Sequence, residues 1–127
     1  MFIDTSIIIE LLEGNKSSPR IDKIFKYIKD EPLFVSIIQL AEKSDWCIKY
    51  KTDSEKRIRQ IKELINIIPL NDTICSQSGE IKHEMRGLGV SKFGLIDGII
   101  LASARSINQK LLTSDTDYRK AEDAIVI

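Results

Sequence analysis

The chain has 127 residues and carries 19 Lys and Arg against 19 Asp and Glu, so its formal net charge at pH 7 is zero. This balance excludes the positive excess of a protein that holds nucleic acid by its overall charge. Hydrophobic residues make up 43% of the sequence, and a chain of this length is expected to form a single domain over residues 1–127. Any nucleic-acid function must therefore come from the local arrangement of charge.

Membrane spans and zinc sites are not expected. No apolar run reaches the length of a transmembrane helix, and the start, Met1 to Asp4, lacks the regions of a secretory signal. We therefore expect a cytoplasmic protein with no membrane partner. Cys47, Cys75 and the single histidine, His83, do not have the spacing of a zinc site, so we expect both cysteines to be small buried side chains.

Short apolar runs alternate with amphipathic patterns along the chain. Strands are predicted at Met1 to Ile3, Leu33 to Val35, Ile67 to Leu70, Leu111 to Thr113 and Ala124 to Ile127. Helices are predicted from Ile7 to Gly14, after the caps Ser18, Ser36 and Asp72, over Ser54 to Asn66, and over Phe93 to Ile107. Apolar strands separated by helices are typical of a parallel sheet covered on both faces. We predict a three-layer α/β fold with a central, mostly parallel sheet of four or five strands.

Two of these helices are expected to bury one face each. The inner face of the helix opened by Ser36 is predicted to hold Ile37, Leu40, Ala41, Ser44, Cys47 and Ile48. The inner face of the next is predicted to hold Ile58, Ile61, Leu64 and Ile65. A basic cluster lies beside them, formed by Lys49, Lys51, Lys56, Arg57, Arg59 and Lys62. It is either an RNA-contacting surface or an ordinary solvated helix face, because acids are interleaved with it.

Two acids follow predicted strands. Asp4 comes directly after the first strand, and Asp115 follows Leu111 to Thr113 with one serine between them. Ligands of open parallel sheets bind beyond the carboxyl ends of the strands, so both side chains are candidates for a site. The alternative is that each aspartate caps the helix that follows it.

Two further acids lie on helices. Asp97 is the only charge between Phe93 and Ala104, and an ionised carboxylate on a buried helix is costly without a partner. It is either a functional group or half of a buried ion pair. Glu42 lies about a turn and a half after Ser36, near the expected strand ends, although an ordinary boundary glutamate would also fit.

Together these four carboxylates predict a metal site at one edge of the sheet. Grouped carboxylates raise one another's pKa, so such a group stays ionised at neutral pH only when cations bind it. Oxygen-only ligands favour Mg²⁺ or Mn²⁺ over zinc. Metals held in this way activate water and stabilise phosphoryl charge, which indicates phosphodiester hydrolysis.

The same segments resemble a known family. Asp4-Thr5-Ser6, Ser36 to Glu42, Leu95-Ile96-Asp97 and Leu111 to Asp117 look like the four acidic motifs of the PIN domain, in order over nearly the whole chain. In size, the chain is similar to the VapC-type toxins of VapBC toxin-antitoxin systems. The resemblance implies a PIN-like fold and a homodimeric Mg²⁺- or Mn²⁺-dependent endoribonuclease that cleaves RNA and is inhibited by a cognate VapB-type antitoxin.

The resemblance also implies roles for individual residues. Asp4, Asp97 and Asp115 would ligate the metal, Glu42 would ligate it or orient the attacking water, and Asp117 would be an auxiliary acidic ligand. Thr5, Ser6 and Thr113 would hydrogen-bond the carboxylates, or would simply be turn residues. No aromatic platform for stacking RNA bases is predicted, since Tyr27, Trp46, Tyr50 and Tyr118 are scattered along the sequence.

Two other function classes remain open. One is a noncatalytic PIN-like module that binds RNA or protein, against which the complete set of four acids argues. The other is a receiver or a haloacid-dehalogenase-like phosphatase. It is disfavoured because the first strand ends in Asp-Thr-Ser and not in Asp-x-Asp, and because no lysine follows a strand where these families require one.

Overall fold

A computed structural model describes residues 1–127 and contains five strands, six α-helices and one 3₁₀ helix. The strands are β1 (Phe2–Ile3), β2 (Phe34–Ser36), β3 (Asn66–Ile68), β4 (Leu111–Thr113) and β5 (Ala124–Val126). The helices are α1 (Thr5–Glu13), α2 (Pro19–Ile28), α3 (Ile38–Lys49), α4 (Ser54–Leu64), α5 (Asp72–Gly87) and α6 (Leu95–Ser106), and the 3₁₀ helix is Thr116–Lys120. No helix is long and apolar enough to cross a membrane.

The five strands form one parallel sheet in the order β3-β2-β1-β4-β5. The chain starts at the central strand, runs outward through β2 to β3, and returns to the other side of β1 for β4 and β5. Its direction therefore changes between β1 and β4, which is where open parallel sheets place their ligands. The predicted three-layer α/β fold is confirmed.

Alternate strand side chains divide the interior into two cores. Phe2 and Leu111 point to one face, where they pack with the apolar sides of α5 and α6. Ile3 and Leu112 point to the other face and pack with residues of α1, α2 and α4. Strands buried on both faces explain why the sequence shows continuous apolar runs without alternation.

Close backbone packing joins α5 to α6. A Cβ atom added at Gly98 would lie only 2.5 Å from the carbonyl oxygen of Ser78, so a larger residue does not fit without a shift of backbone. This contact fixes α6, whose first turn carries Asp97, against the helix layer beneath it. The position of Asp97 therefore depends on the small size of its neighbour, Gly98.

Several local predictions need correction. The side chain of Ser18 accepts from Ile21 N–H with Pro19 as the first helical residue, as predicted. By contrast, α5 is capped by Asn71, whose Oδ1 accepts from Ile74 N–H at 2.8 Å, so the predicted Asp72 cap is wrong.

The inner face of α3 also differs from the prediction. Its buried residues are Gln39, Lys43 and Cys47, spaced one per helical turn, while Ala41 is exposed and Ile48 is 72% exposed. The apolar pattern failed because two of the three inward positions are polar and find partners inside the fold. Two further expectations are wrong: Leu64, the last residue of α4, is 70% exposed, and Cys75 is exposed although Cys47 is buried.

Candidate active site

Asp4 and Asp115 follow the carboxyl ends of the neighbouring strands β1 and β4. Thr113, the last residue of β4, donates its hydroxyl to Asp4 Oδ2 at 2.7 Å, and Ser6 donates to the same oxygen at 2.9 Å. Asp4 makes no side-chain cap to α1, so capping does not explain it. Asp115 does cap the 3₁₀ helix, because its Oδ1 accepts from the N–H of Asp117 at 2.9 Å. The predicted hydroxyl contacts to Asp4 are confirmed.

Glu42 reaches the same edge of the sheet from α3. The hydroxyl of Thr5 donates to Glu42 Oε1 at 2.5 Å, which joins this helix to the residue that follows Asp4. The contact confirms the predicted role of Thr5 as a hydrogen-bond donor. It leaves Glu42 Oε2 without a hydrogen bond from the protein.

Asp97 lies in the first turn of α6. Its Oδ2 accepts from the N–H of Gly94, the capping residue, at 2.7 Å. No ion pair in the structure includes Asp97, so the alternative of a buried ion pair has no partner residue. The hydroxyl of Tyr118 donates to the carbonyl oxygen of Asp97 at 3.1 Å, which ties the 3₁₀ helix to α6.

The acid cluster, as we call Asp4, Glu42, Asp97 and Asp115, is electrostatically coupled. Burial raises the pKa of Asp4, of Glu42 and of Asp97 above their ordinary values, and hydrogen bonds from neighbouring groups partly oppose this effect. Neighbouring carboxylates raise each pKa further: Asp115 acts on Asp4, Asp4 and Asp97 act on Glu42, and Asp115 and Asp4 act on Asp97. No lysine or arginine pairs with any of the four.

The cluster is open and not tightly closed. No three of the Asp, Glu, His and Cys side chains are grouped closely enough to hold a metal ion as they stand. Each carboxylate uses one oxygen for its main hydrogen bond, and the second oxygen of each receives no side-chain donor. The acids thus share one negative region without touching one another.

Asp117 lies beside the cluster on the 3₁₀ helix. It is half-buried, and its charge contributes to the raised pKa of Asp97, after burial and the two nearer aspartates. It therefore faces the same region as the four acids, where the predicted auxiliary role would require it.

Gln39 is a buried residue that the sequence analysis missed. Its Nε2 donates to the carbonyl oxygen of Ile3 at 2.8 Å, and its Oε1 accepts from the N–H of Ser36 at 2.8 Å. One side chain thereby links the ends of β1 and β2 at the start of α3, three residues before Glu42. No signal in the sequence indicated this role for Gln39, because hydrophobic periodicity does not identify buried polar residues.

An aromatic pair was missed as well. Trp46 and Tyr50 are one helical turn apart, and their ring centroids lie 4.6 Å apart. They line a cavity of about 510 Å³ that also includes Thr5 and Glu42. The prediction that the aromatic residues are scattered is therefore wrong for these two, and their spacing of four on a helix was the available signal.

The PIN domain family model matches residues 1–124 of the chain. The chain therefore belongs to the PIN domain family. No curated protein matches it.

Several solved structures share this fold. A toxin-antitoxin complex from Klebsiella pneumoniae is 24% identical, with a TM-score of 0.75 over 98% of this chain and 95% of that one. VapBC2 from Rickettsia felis, bound to a promoter DNA fragment, is 20% identical, with a TM-score of 0.74 over 99% and 96%. VapC20 of Mycobacterium tuberculosis, a sarcin-ricin loop cleaving toxin, is 19% identical, with a TM-score of 0.69 over 95% and 94%. At these identities the likeness shows a shared fold.

Proposed function

We propose that this protein is a divalent-metal-dependent endoribonuclease that hydrolyses RNA phosphodiester bonds. The observation that carries the proposal is the acid cluster: four carboxylates from two strand ends and two helices face one region without a single basic partner. A fold gains nothing from burying such charges unless a cation neutralises them.

The donor set fits Mg²⁺ or Mn²⁺. All of the donors are carboxylate oxygens, the ligands that hard divalent cations prefer. Asp4, Asp97 and Asp115 would hold the metal, with Glu42 and Asp117 beside them, and ligation would require these side chains to rotate toward one another. When bound, such a metal supplies a Lewis acid that lowers the pKa of water and stabilises charge on the phosphoryl group.

The chain's own residues prepare this chemistry. Ser6 and Thr113 fix Asp4 through one oxygen, so its other oxygen is presented in a defined direction. Thr5 fixes Glu42 in the same way, and Glu42 Oε2 is then free to orient a water molecule for attack on phosphorus. Gln39 holds the strand ends that set the separation of Asp4 and Glu42.

The partners follow from the family and from its structural relatives. One of those relatives is a toxin-antitoxin complex, another is a VapBC protein bound to promoter DNA, and a third is a toxin that cleaves the sarcin-ricin loop. We infer that this chain is the toxin of such a pair, acts on RNA in the cytoplasm as a homodimer, and is inhibited by a VapB-type antitoxin.

Replacement of Asp97 by Asn tests the proposal. The Asn side chain keeps an oxygen that accepts from Gly94 N–H, so α6 stays capped while the charge is lost. We expect RNA cleavage with Mg²⁺ or Mn²⁺ to fall at least ~100-fold in Asp97→Asn, and to stop in wild type when the metal is chelated. Asp22→Asn, at an exposed position on α2, serves as the matched control. Equal cleavage by Asp97→Asn and wild type would overturn the catalytic assignment.

A noncatalytic module that binds RNA or protein is the second candidate. The lack of three closely grouped ligands favours it, because a degenerate site would show the same separation. RNA binding by the wild type with no cleavage under any divalent cation would support this candidate over the nuclease.

A further inference from the structure

A basic cleft lies next to the acid cluster. It has a volume of about 320 Å³ and lies between the loop that precedes α6 and the 3₁₀ helix. Its lining consists of Gly89, Val90, Ser91, Lys92, Thr116, Asp117, Arg119 and Lys120. We call this feature the basic cleft.

The two walls of the basic cleft are the segments that carry two of the acids. Lys92 on one wall is five residues before Asp97, and Arg119 on the other is four residues after Asp115. The walls are joined beneath by Phe93 and Tyr118, whose rings pack edge to face with centroids 5.4 Å apart. Because both residues are fully buried, the cleft is held at a fixed position relative to the acids.

The charge of the basic cleft is opposite to that of the acid cluster. Lys92, Arg119 and Lys120 are exposed, and none forms an ion pair within the protein. Asp117 is the one acid in the lining, so the cleft keeps two net positive charges. Cations without an acidic partner lie beside acids without a basic partner. This arrangement indicates an extended anionic ligand, one part of which contacts the cations while another part lies at the metal bound by the acids.

Backbone groups add neutral donors to the same surface. The N–H groups of Ser91 and Lys92 donate to no acceptor in the protein, although both residues lie in the lining. The preceding Gly89 has φ of +95°, a conformation that favours glycine. Backbone N–H groups and nearby cations together form the usual surroundings of a bound phosphate.

We propose that the basic cleft binds a backbone phosphate of the RNA strand on one side of the scissile bond. This inference rests on the proposed function, because it assigns the substrate path of that same site. Four carboxylates repel a polyanionic strand, and cations on the segments that carry Asp97 and Asp115 offset that repulsion where the strand leaves the site. The contact is made to phosphate and therefore predicts affinity without base preference.

A matched control exists on α4. Lys56, Arg59 and Lys62 are also exposed and also free of ion pairs, but Glu55 and Glu63 are interleaved with them on that helix. Changing these three residues to Gln removes the same charge from the protein as the triple change in the basic cleft. The two triples therefore differ in the place of the charge and not in its amount.

The test measures binding of a fluorescent single-stranded RNA by anisotropy, without divalent metal and in the Asp97→Asn background. Each phosphate contact on a single strand changes the slope of log K against log salt by roughly 0.7. The triple Lys92→Gln, Arg119→Gln, Lys120→Gln removes the one proposed phosphate contact, so it is expected to flatten that slope by roughly 0.7 and to weaken binding at low salt ~10-fold. The α4 triple is expected to leave both unchanged. If the first triple lowers the Tm, the three single variants are used, and each is expected to flatten the slope by part of that roughly 0.7.

The outcomes separate this proposal from the proposed function. A flattened slope in the basic cleft triple alone supports the cleft, whether or not the wild type cleaves RNA. An unchanged slope, absence of RNA binding, or an equal effect of the α4 triple overturns the cleft, even when the wild type cleaves RNA with Mg²⁺. Failure of the nuclease proposal is seen separately, as absence of metal-dependent cleavage by the wild type.

Discussion

Glu42 and Lys43 are neighbours on α3, but only Lys43 has a partner of opposite charge inside the protein. Lys43 is fully buried, with its Nζ 3.3 Å from Glu13 Oε1 and 3.9 Å from the ring centroid of Trp46. Arg57 pairs with the same glutamate, so Glu13, Lys43 and Arg57 form what we call the charge triad. Glu42, one residue earlier, belongs to a group of acids with no basic partner.

The difference separates structural charges from functional ones. Every member of the charge triad has a partner of opposite charge inside the protein, and the triad joins α1, α3 and α4, so its role is complete without any ligand. The acid cluster is not neutralised inside the protein, so it is stabilised only by something that binds there. The two groups are therefore expected to respond in opposite directions to charge removal, metal and acid.

The largest expected effect is the loss of the charge triad. Glu13→Ala leaves the buried Lys43 ammonium without its carboxylate, and an unpaired buried charge of this kind costs about 3 kcal/mol of unfolding free energy. Denaturant titration measures this loss. The double variant Glu13→Ala, Lys43→Met should recover most of it because the fully buried ammonium is gone and the remaining cation, Arg57, is partly exposed to water. A loss well below ~1 kcal/mol would show that Lys43 finds water or another partner.

The acid cluster should behave in the opposite way. Without metal, Asp97→Asn is expected to raise the unfolding free energy by about 1 kcal/mol, since repulsion from the other acids is relieved. Mg²⁺ or Mn²⁺ at ~100 times its dissociation constant should stabilise the wild type by about 2.7 kcal/mol and the variant by much less. Thermal melts with and without metal measure both effects. Destabilisation of metal-free Asp97→Asn would instead mark this carboxylate as structural.

Acid should distinguish the two groups by the sign of the change. The hydrogen bond from Arg57 lowers the pKa of Glu13 below its ordinary 4.5, so its stabilising effect is present above that pH and is lost as the pH falls further. Burial raises the pKa of Asp4 and of Asp97 above 3.8, so their neutral forms favour folding below that pH, and this gain is lost as the pH rises through the folded-state values.

The metal-free protein is therefore expected to gain stability as the pH is lowered from neutral toward about 4, and to lose it below about 4. Melts across this range in the presence of a chelator measure the profile. Asp97→Asn should reduce the gain in stability that occurs as the pH falls from neutral. Glu13→Ala should reduce the loss of stability below about pH 4. A profile that only falls from neutral pH downward would contradict the raised pKa values of the cluster.

The smallest effect is expected from an exposed pair. Arg105 contacts Asp123 with two hydrogen bonds of 2.8 and 3.0 Å, but the arginine side chain is 40% exposed. Arg105→Gln should lower the unfolding free energy by about 0.5 kcal/mol, and less at high salt, as for other surface pairs. If Arg105→Gln lowered the unfolding free energy as much as Glu13→Ala does, burial could not be the reason why the charge triad contributes so much to stability.

The sequence predicted the fold and the acids better than it predicted the packing around them. Asp4 and Asp115 were identified because they follow apolar strands, and Asp97 because it interrupts an apolar helix. The inner face of α3 was missed because Gln39 and Lys43 occupy it, and their partners, Ile3 and Glu13, come from distant parts of the chain. Hydrophobic periodicity carries no information on such partners. The distances between the carboxylates depend on the same long-range contacts, so they could not be predicted from the sequence either.

The central position of β1 has a consequence for the order of folding. The hydrogen bond from Thr113 to Asp4 joins residues 109 positions apart, and β1 gains its second neighbour only when β4 pairs with it. Contacts of such long range form late and slow the folding of the chain. During synthesis, the acid cluster cannot assemble until residues 111–115 have left the ribosome. A chain interrupted before that point would carry Asp4, Glu42 and Asp97 but no site, so any activity of the cluster would appear only after Asp115 has been made and released.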